Sequence, residues 1–369
     1  MRVLVVAAPL LGHVFPLMPL ALALREAGHE VVVATGGEAL RVRDSGLRVE
    51  DVVPANVRFG PIALRIMLTH PLVAKRELRG SGRLDFVSRL FGTVGDAMTA
   101  PLQAFARTWK PDVVVHEPLA AAGSALGVPS IVHDVSLFDG LELTAAVGAR
   151  MKAGVRSPAT VLRTAPPSLA EFPGGERMRF VPYSGDGEVP RWLAEPSGKP
   201  RILVSRSTAP GPGAGRMMAA VVKAAERVDA EFVLVRPERT ESLPGNVRTV
   251  GWVPIPRVLP FCDGIVHHGG AGTLLGALAA GVPQLVEPGP GDRTVHATAI
   301  TGRGAGLRAE PREITPELLT RLIEDSKLQR AAGEVRAEIA AMPSPAQVAR
   351  RWESLWHRGH DSRDRLPEQ

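Results

Sequence analysis

Short apolar runs alternate with helical patterns along the chain. Residues 3–8 are all apolar and of strand length, which is typical of a parallel strand buried on both faces. Residues 17–27 have helical spacing and end at Gly28, and residues 31–34 form the next strand-like run. A strand, a helix and a strand at this spacing predict a parallel βαβ unit.

The alternation continues in two series of similar length. Further strands are predicted at residues 47–53, 113–115, 130–132 and 180–182, and then at 202–205, 232–235, 248–250, 264–266 and 284–286. Residues 60–110 are Arg-rich and amphipathic and predict two or three helices, and residues 120–126 and 346–356 predict two more. Residues 185–200 have the Gly, Pro and charge content of an exposed linker. We therefore expect an N-terminal domain over 1–185, a linker over 186–200, a C-terminal domain over 201–342, and a closing helix and tail over 343–369.

The basic charge of the chain adds little to this picture. A length of 369 residues suits two domains, and a hydrophobic content of 45% suits globular cores. The formal net charge is +6, but no Lys/Arg run carries interleaved aromatic residues, which make up only 4% of the chain. Such a thinly spread excess is typical of a solvated surface, so no nucleic-acid partner is expected. An anionic small-molecule substrate would also suit it.

Cysteine content and hydropathy indicate the cellular compartment and whether the chain enters a membrane. Cys262 is the only cysteine, so neither an intrachain disulfide nor a cysteine-based metal site is expected, which fits a cytoplasmic protein. The apolar run at 3–11 follows Arg2 as in a short signal peptide, but it leads directly into a Gly-His loop, and we interpret it as a strand. No apolar stretch approaches the roughly 18 residues of a membrane span, so no stable membrane insertion is expected.

The strongest chemical signal is a glycine-rich segment between a predicted strand and a predicted helix. Glycines let backbone N–H groups approach a phosphate closely, and a helix N-terminus adds partial positive charge. A hydroxyl in the first helical turn and two histidines before the glycines supply further donors. The segment predicts a phosphate site made of His267, His268, Gly269, Gly270, Ala271, Gly272 and Thr273.

The region that holds this segment resembles a known family. Residues 246–297 are similar to the donor-binding region of the family 1 glycosyltransferases, above all the bacterial members that glycosylate antibiotics and other polyketide or enediyne products. Further matches are Gly12-His13-x-x-Pro16, residues 111–117 and residues 342–345, so the resemblance spans nearly the whole chain. It implies an α/β protein of GT-B fold, with two Rossmann-like, doubly wound parallel-sheet domains facing a cleft.

The resemblance also implies a donor site. Trp252 would stack on the pyrimidine of a nucleotide-sugar, and the backbone of Val253 would read the base edge. His267 would hold the diphosphate, with His268 as the alternative. Ser207 and Thr208 match the position of a phosphate loop in the family, where Arg206 departs from the pattern as an extra phosphate contact.

His13 is the expected catalytic base. Sugar transfer by direct displacement needs a group that takes the proton of the acceptor hydroxyl, and imidazole titrates near the working pH. The resemblance implies a carboxylate that holds this histidine, and Glu117 occupies the matching position, although Asp is commoner there. The nearby His116, His133 and Asp134 leave the identity of that partner open. Gly12 and Phe138 are expected in the acceptor site.

Two departures from the family pattern concern the donor. Relatives that use UDP-sugars often carry a Glu that binds both ribose hydroxyls, where this chain has Leu275. Because an apolar residue leaves a 2′-hydroxyl without a partner, a dTDP-sugar is the expected donor. The Asp-Gln pair that binds sugar hydroxyls appears here as Asp292-Arg293, which suggests a deoxygenated or modified sugar. No metal and no other cofactor is expected, because no Asp-x-Asp pair lies beside a predicted strand.

The sequence therefore predicts an inverting O-glycosyltransferase. It would transfer a sugar or deoxysugar from a nucleotide-diphosphate donor, expected to be a dTDP-sugar, to a hydroxyl of a hydrophobic natural product such as a polyketide or enediyne aglycone. One alternative is transfer onto a lipid-linked cell-wall precursor, but those transferases carry a denser glycine loop than residues 8–11 provide. A second is a non-catalytic nucleotide-sugar-binding auxiliary protein, which the intact His13 and donor segment disfavour. The acceptor, the sugar and a homodimer stay open.

Overall fold

Two fully parallel sheets organise the molecule. The computed structural model describes residues 1–82, 84–207, 215–238 and 242–353. The first sheet has seven strands in the order β3-β2-β1-β4-β5-β6-β7, and the second has six in the order β10-β9-β8-β11-β12-β13. Each first strand lies inside its sheet, and the chain then moves outward in both directions, as in a doubly wound fold.

The N-terminal domain forms because apolar β-branched runs become the strands and amphipathic segments cover both faces. Its elements are β1 (Arg2–Val6), α1 (Leu11–Val14), α2 (Met18–Glu26), β2 (Glu30–Thr35), β3 (Arg48–Asp51), α3 (Phe59–Thr69), α4 (Pro71–Leu78), α5 (Asp85–Trp109), β4 (Val113–His116), β5 (Ser130–His133), α6 (Gly140–Gly148), β6 (Thr160–Arg163) and β7 (Glu176–Arg177). In register, Val5 lies opposite Val33 on one side and Val115 on the other, and all three are fully buried.

The C-terminal domain repeats the arrangement. Its elements are β8 (Arg201–Ser205), α7 (Arg216–Ala225), β9 (Glu231–Val235), β10 (Val247–Val250), α8 (Ile255–Val258), β11 (Gly264–His267), α9 (Ala271–Ala280), β12 (Gln284–Val286), α10 (Arg293–Arg303), β13 (Gly306–Arg308), α11 (Pro316–Glu324) and α12 (Ser326–Ala341). The helix α13 (Pro345–Arg350) follows, and it begins at a capping box in which Ser344 and Gln347 bond each other's main chain.

Helix α13 returns to the N-terminal domain. It packs on α2, and Val348, Ala349 and Trp352 are buried in the same apolar cluster as β1 and α2. The N-terminal core is therefore completed by the end of the described chain. The predicted closing helix over 346–356 is present as α13, which ends at Arg350, and residues 354–356 lie outside the described part.

The observed strands differ from the predicted ones near the end of each sheet. The segment 180–182 is not a strand, and the last strands of the first sheet are β6 and β7, which lie earlier in the chain. Phe180 instead packs against buried residues of α9 and α12. The edge strand β13 was not predicted, whereas the short helix predicted over 120–126 is present as a 3₁₀ helix at Ala121–Ala125. Each of these elements is too short to show periodicity.

Candidate active site

The site residues gather where ligands bind in doubly wound sheets. In such sheets the crevice lies at the carboxyl ends of the two strands from which the chain moves in opposite directions. In the first sheet those strands are β1 and β4, followed by His13 and Glu117. In the second they are β8 and β11, followed by Ser207 and the glycine-rich segment. The topology thus brings together residues that are far apart in the sequence.

His13 lies on α1 and faces Glu117. The distance from His13 Nδ1 to Glu117 Oε2 is 3.4 Å, and the imidazole keeps 23% of its surface exposed. At this separation the contact is electrostatic, because Nδ1 makes no hydrogen bond of good geometry. Burial alone would lower the pKa of His13, but the Glu117 carboxylate, with help from Asp292 of the C-terminal domain, raises it above the ordinary value. The contact implied by the resemblance is present.

Glu117 is held rigidly behind His13. Its side chain is fully buried, with Oε1 accepting the N–H of Ala8 at 3.2 Å and Oε2 accepting the N–H of Leu119 at 2.8 Å. These two main-chain donors therefore hold both carboxylate oxygens in fixed positions beside the imidazole.

The other groups near β4 and β5 have different partners. His116 contacts Ser124 and the carbonyl of Glu117, so both of its ring nitrogens are engaged. Asp134 pairs with Arg163 at 3.1 Å, and burial raises its pKa to about 7. His133 bonds the carbonyl of Asp134, and burial lowers its pKa to about 4. Of the candidates left open by the sequence, Glu117 is therefore the one that contacts His13.

An aromatic side chain lies beside His13. Its ring centroid lies 5.6 Å from that of Phe91 on α5, which in turn lies 5.6 Å from Phe59 on α3. A Cβ added at the exposed Gly12 would meet nothing within 4 Å, so space is open beside the histidine. Phe138 is half-buried on the loop between β5 and α6, and the structure gives it no contact with His13.

The glycine-rich segment turns sharply from β11 into α9. Gly269 has φ +83°, a conformation that favours glycine, and Gly270 precedes the helix without any side-chain cap. Ala271, Gly272 and Thr273 form the first turn, whose N–H groups have no acceptor within the helix. A Cβ at the exposed Gly272 would meet nothing within 4 Å. The turn is therefore open to an anion.

The two histidines of the turn differ in what they can contact. His267 is fully buried, its Nε2 bonds Gln284 Oε1 at 2.8 Å, and its Nδ1 accepts the N–H of Gly269 at 3.1 Å. Both nitrogens are engaged within the protein, so this geometry leaves His267 no free ring nitrogen for the diphosphate. His268 is half-buried and its Nδ1 has no partner within the described residues. The alternative stated from the sequence is the one that the geometry favours.

Asp292 and Arg293 begin α10 beside the turn. Arg293 Nη2 donates to Glu287 Oε2 at 2.6 Å, so its charge is already paired. Asp292 keeps 34% of its side chain exposed, and its Oδ2 lies 3.5 Å from His296 Nε2. His296 was not predicted. It is fully buried, and its position four residues after Asp292 on a helix was the available signal.

Trp252 has cationic neighbours from both domains. The guanidinium of Arg236 lies 5.1 Å from the Trp252 ring centroid, and that of Arg41, from the N-terminal domain, lies 5.3 Å away. The Val253 side chain is buried in the core of the C-terminal domain. Ser207 follows β8 as expected, whereas Thr208 lies outside the described residues.

Leu275 does not occupy the ribose-binding position that the sequence comparison assigned to it. Its side chain is fully buried in the apolar cluster that joins α9 to α10 and α12. Position 275 therefore lies in the core and does not face a ribose. The choice between dTDP and UDP cannot rest on this residue.

The described residues show neither a cluster of metal-ligating side chains nor a helix suited to a membrane. Among the residues that the structure describes, no group of three or more His, Cys, Asp or Glu side chains is arranged to hold a metal ion. Every helix in the described ranges is too short or too polar to cross a membrane.

Comparisons with known proteins agree with this geometry. Family models of erythromycin biosynthesis protein CIII-like proteins match residues 22–207 (N-terminal domain) and 219–355 (C-terminal domain). The elloramycin glycosyltransferase ElmGT of Streptomyces olivaceus is 35% identical over 95% of this chain and 96% of its own. The crystal structure of the glycosyltransferase SnogD from Streptomyces nogalater matches with a TM-score of 0.81, 34% identity, and coverage of 96% of this chain and 99% of that one.

A further solved structure contains a nucleotide. The Streptomyces sp. SF2575 glycosyltransferase SsfS6, complexed with thymidine diphosphate, matches with a TM-score of 0.79 and 27% identity, over 96% of this chain and 99% of that one. The predicted fold class, two Rossmann-like parallel-sheet domains of GT-B type, is confirmed. The chain belongs to the erythromycin biosynthesis protein CIII-like family of antibiotic glycosyltransferases, and it is an enzyme that transfers a sugar.

Proposed function

We propose that this enzyme transfers a deoxysugar from dTDP to a hydroxyl of a hydrophobic aglycone, with inversion. The observation that carries the proposal is the pairing of His13 with the buried Glu117, in a crevice that faces Asp292 of the other domain. In this assignment residues 1–185 bind the acceptor and residues 201–342 bind the donor.

The proton moves to His13. Glu117 faces Nδ1, so the neutral imidazole carries its proton there and offers the lone pair of Nε2 to the acceptor. As the acceptor oxygen bonds the anomeric carbon, its proton passes to Nε2 and the bond from that carbon to the diphosphate oxygen breaks. The electron pair of that bond leaves with dTDP. Glu117 stabilises the imidazolium that forms.

The α9 turn receives the diphosphate. N–H groups at an open helix N-terminus stabilise the charge that develops on the leaving oxygen, with Thr273 and His268 as side-chain donors. Burial, the neighbouring His267 and Arg293 lower the pKa of His268 to about 3, so its ring is neutral at working pH and donates one hydrogen bond. Asp292 is the group nearest the sugar in this assignment, and no metal ion is required.

Apolar contacts support a hydrophobic acceptor. Phe91 and Phe59 form an aromatic wall beside His13, and the space at Gly12 is open. Phe138, on the loop between β5 and α6, stays a proposed contact of the acceptor. The proposal also places the enzyme in the cytoplasm, because its single cysteine suits a reducing compartment. Formation of a homodimer stays open.

Calorimetry with dTDP and UDP tests the donor assignment. The thymidine diphosphate complex of SsfS6 supports dTDP for this chain. We expect dTDP to bind more tightly than UDP, equally well with and without a chelator. Binding of neither nucleotide would contradict the donor site, and loss of binding in the chelator would contradict a metal-free site.

Transfer to an aglycone tests the acceptor assignment. The substrates are the elloramycin aglycone and the matched donors dTDP-rhamnose and UDP-rhamnose, which differ only in the base methyl and the 2′-hydroxyl. A glycosylated product from dTDP-rhamnose supports the proposal. Transfer only onto a polyprenyl-linked saccharide would favour the cell-wall alternative. Tight dTDP binding without transfer to any acceptor would favour the auxiliary protein.

A further inference from the structure

His296 lies at the junction of three parts of the site. It is fully buried on α10, and its Nδ1 is 2.7 Å from the carbonyl oxygen of Gly269. Because a carbonyl oxygen only accepts hydrogen bonds, Nδ1 carries the proton. Nε2 then accepts the N–H of Leu137, from the N-terminal domain, at 3.5 Å, and lies equally far from Asp292 Oδ2.

Gly269 is thereby held from two sides. Its N–H donates to His267 Nδ1 at 3.1 Å, and its carbonyl accepts from His296. In a trans peptide the C=O and the following N–H point in opposite directions. Fixing the Gly269 carbonyl toward α10 therefore directs the N–H of Gly270 away from α10. That N–H is the first of the donors at the open N-terminus of α9.

Without the two histidines this peptide would have other orientations. Glycine has the widest backbone freedom of any residue type, and among the described residues only His296 donates a hydrogen bond to the Gly269 carbonyl. Ordering the turn before the ligand arrives removes an entropic cost from binding, because the donors are already aimed. The hydrogen bond from His296 thus acts on affinity without any contact with the ligand.

We propose that His296 is a positioning residue for the donor turn, acting through the Gly269 carbonyl. The inference rests on the proposed function, since it takes the α9 turn as the diphosphate site. In this proposal the imidazole of His296 increases the affinity for dTDP although it does not contact dTDP. His267, expected from the sequence to bind the diphosphate directly, has the complementary indirect role.

Two substitutions of His296 distinguish the loss of its hydrogen bond to Gly269 from the loss of the imidazole ring itself. The amide of His296→Asn lies where Nδ1 lies and can still donate to Gly269. The amide of His296→Gln lies where Nε2 lies and loses that bond. We expect the Kd for dTDP, measured by calorimetry, to stay within about threefold of wild type for Asn and to rise about five- to tenfold for Gln, as for one lost hydrogen bond.

His133→Gln is the matched control. His133 is equally buried, and its Nδ1 bonds a main-chain carbonyl, that of Asp134, at the same 2.7 Å, but on β5. We expect this variant to lose thermal stability while its dTDP affinity is unchanged. Equal weakening by His296→Asn and His296→Gln, no weakening by either, or equal weakening by His133→Gln would each overturn the inference. Failure of the wild-type enzyme to bind dTDP would instead contradict the proposed function.

Discussion

Glu117→Gln isolates the charge beneath His13. The substitution keeps the size of the side chain. In the wild type the Glu117 carboxylate faces three groups, the N–H of Ala8, the N–H of Leu119 and His13 Nδ1. A Gln amide offers one oxygen, so at least one buried main-chain N–H loses its acceptor. That loss costs about 1–3 kcal/mol of folding free energy. The loss of charge removes the stabilisation of the imidazolium, and we expect kcat to fall by about 10²–10⁴-fold.

The pH profile distinguishes this role from a structural one. In the wild type, Glu117 raises the pKa of His13, so the base form appears only as pH rises through that raised value. Without Glu117, burial dominates and the pKa falls below about 6.5. The acidic limb of kcat/KM therefore moves to lower pH, and the deficit of the variant shrinks as the pH falls. The same raised pKa stabilises the native wild type below about pH 6.5, a contribution lost at higher pH and absent in the variant.

The assay is initial-rate transfer from dTDP-rhamnose to the elloramycin aglycone between pH 5 and about pH 9, with dTDP affinity measured in parallel. Asp134→Asn is the control, because Asp134 is also a buried carboxylate, but it pairs with Arg163. The control is expected to leave the acidic limb in place. An acidic limb that does not move in Glu117→Gln, or a kcat within threefold of wild type, would refute the role of Glu117.

Four further outcomes are expected. His13→Ala lowers kcat by about 10²–10⁴-fold with an unchanged Kd for dTDP, and a parallel loss of dTDP affinity would contradict its assignment to the acceptor side. Gly272→Ala leaves the melting temperature unchanged, because its Cβ meets no atom, but weakens dTDP binding about tenfold if phosphate approaches there. Thr273→Val also weakens dTDP binding about tenfold, whereas the same change at the exposed Thr298 has no effect. Trp352→Ala lowers the free energy of unfolding by about 3–5 kcal/mol in urea titrations, and a smaller change would show that the N-terminal core is complete without α13.

Some of the site was predictable because the fold class fixes which strand ends meet. His13 and Glu117 are more than 100 residues apart, yet each follows one of the two central strands of a doubly wound sheet. Apolar runs of three or more residues were sufficient to find those strands. Once β1 and β4 are neighbours, the residues at their carboxyl ends share one crevice. The contact follows from topology, while the catalytic role stays a prediction.

The assignments that failed depended on side-chain direction. Successive residues of a strand point to opposite faces, so the choice between His267 and His268 depends on where β11 ends. It ends at His267, whose ring is buried against Gln284. Leu275 lies on a helix that is apolar on most sides, so its sequence does not reveal which face meets a ligand. The short strands β6 and β13 offered too few residues for any period to be recognised.

The return of α13 to the N-terminal domain has a consequence for how the chain folds during synthesis. The N-terminal half leaves the ribosome first, but Val348, Ala349 and Trp352 complete its core and are made after the C-terminal domain. The sheet of the C-terminal half, by contrast, has all of its strands as soon as β13 emerges. The half that is synthesised second can therefore complete its sheet first, while the first half keeps an uncovered apolar surface until the segment that holds α13 emerges.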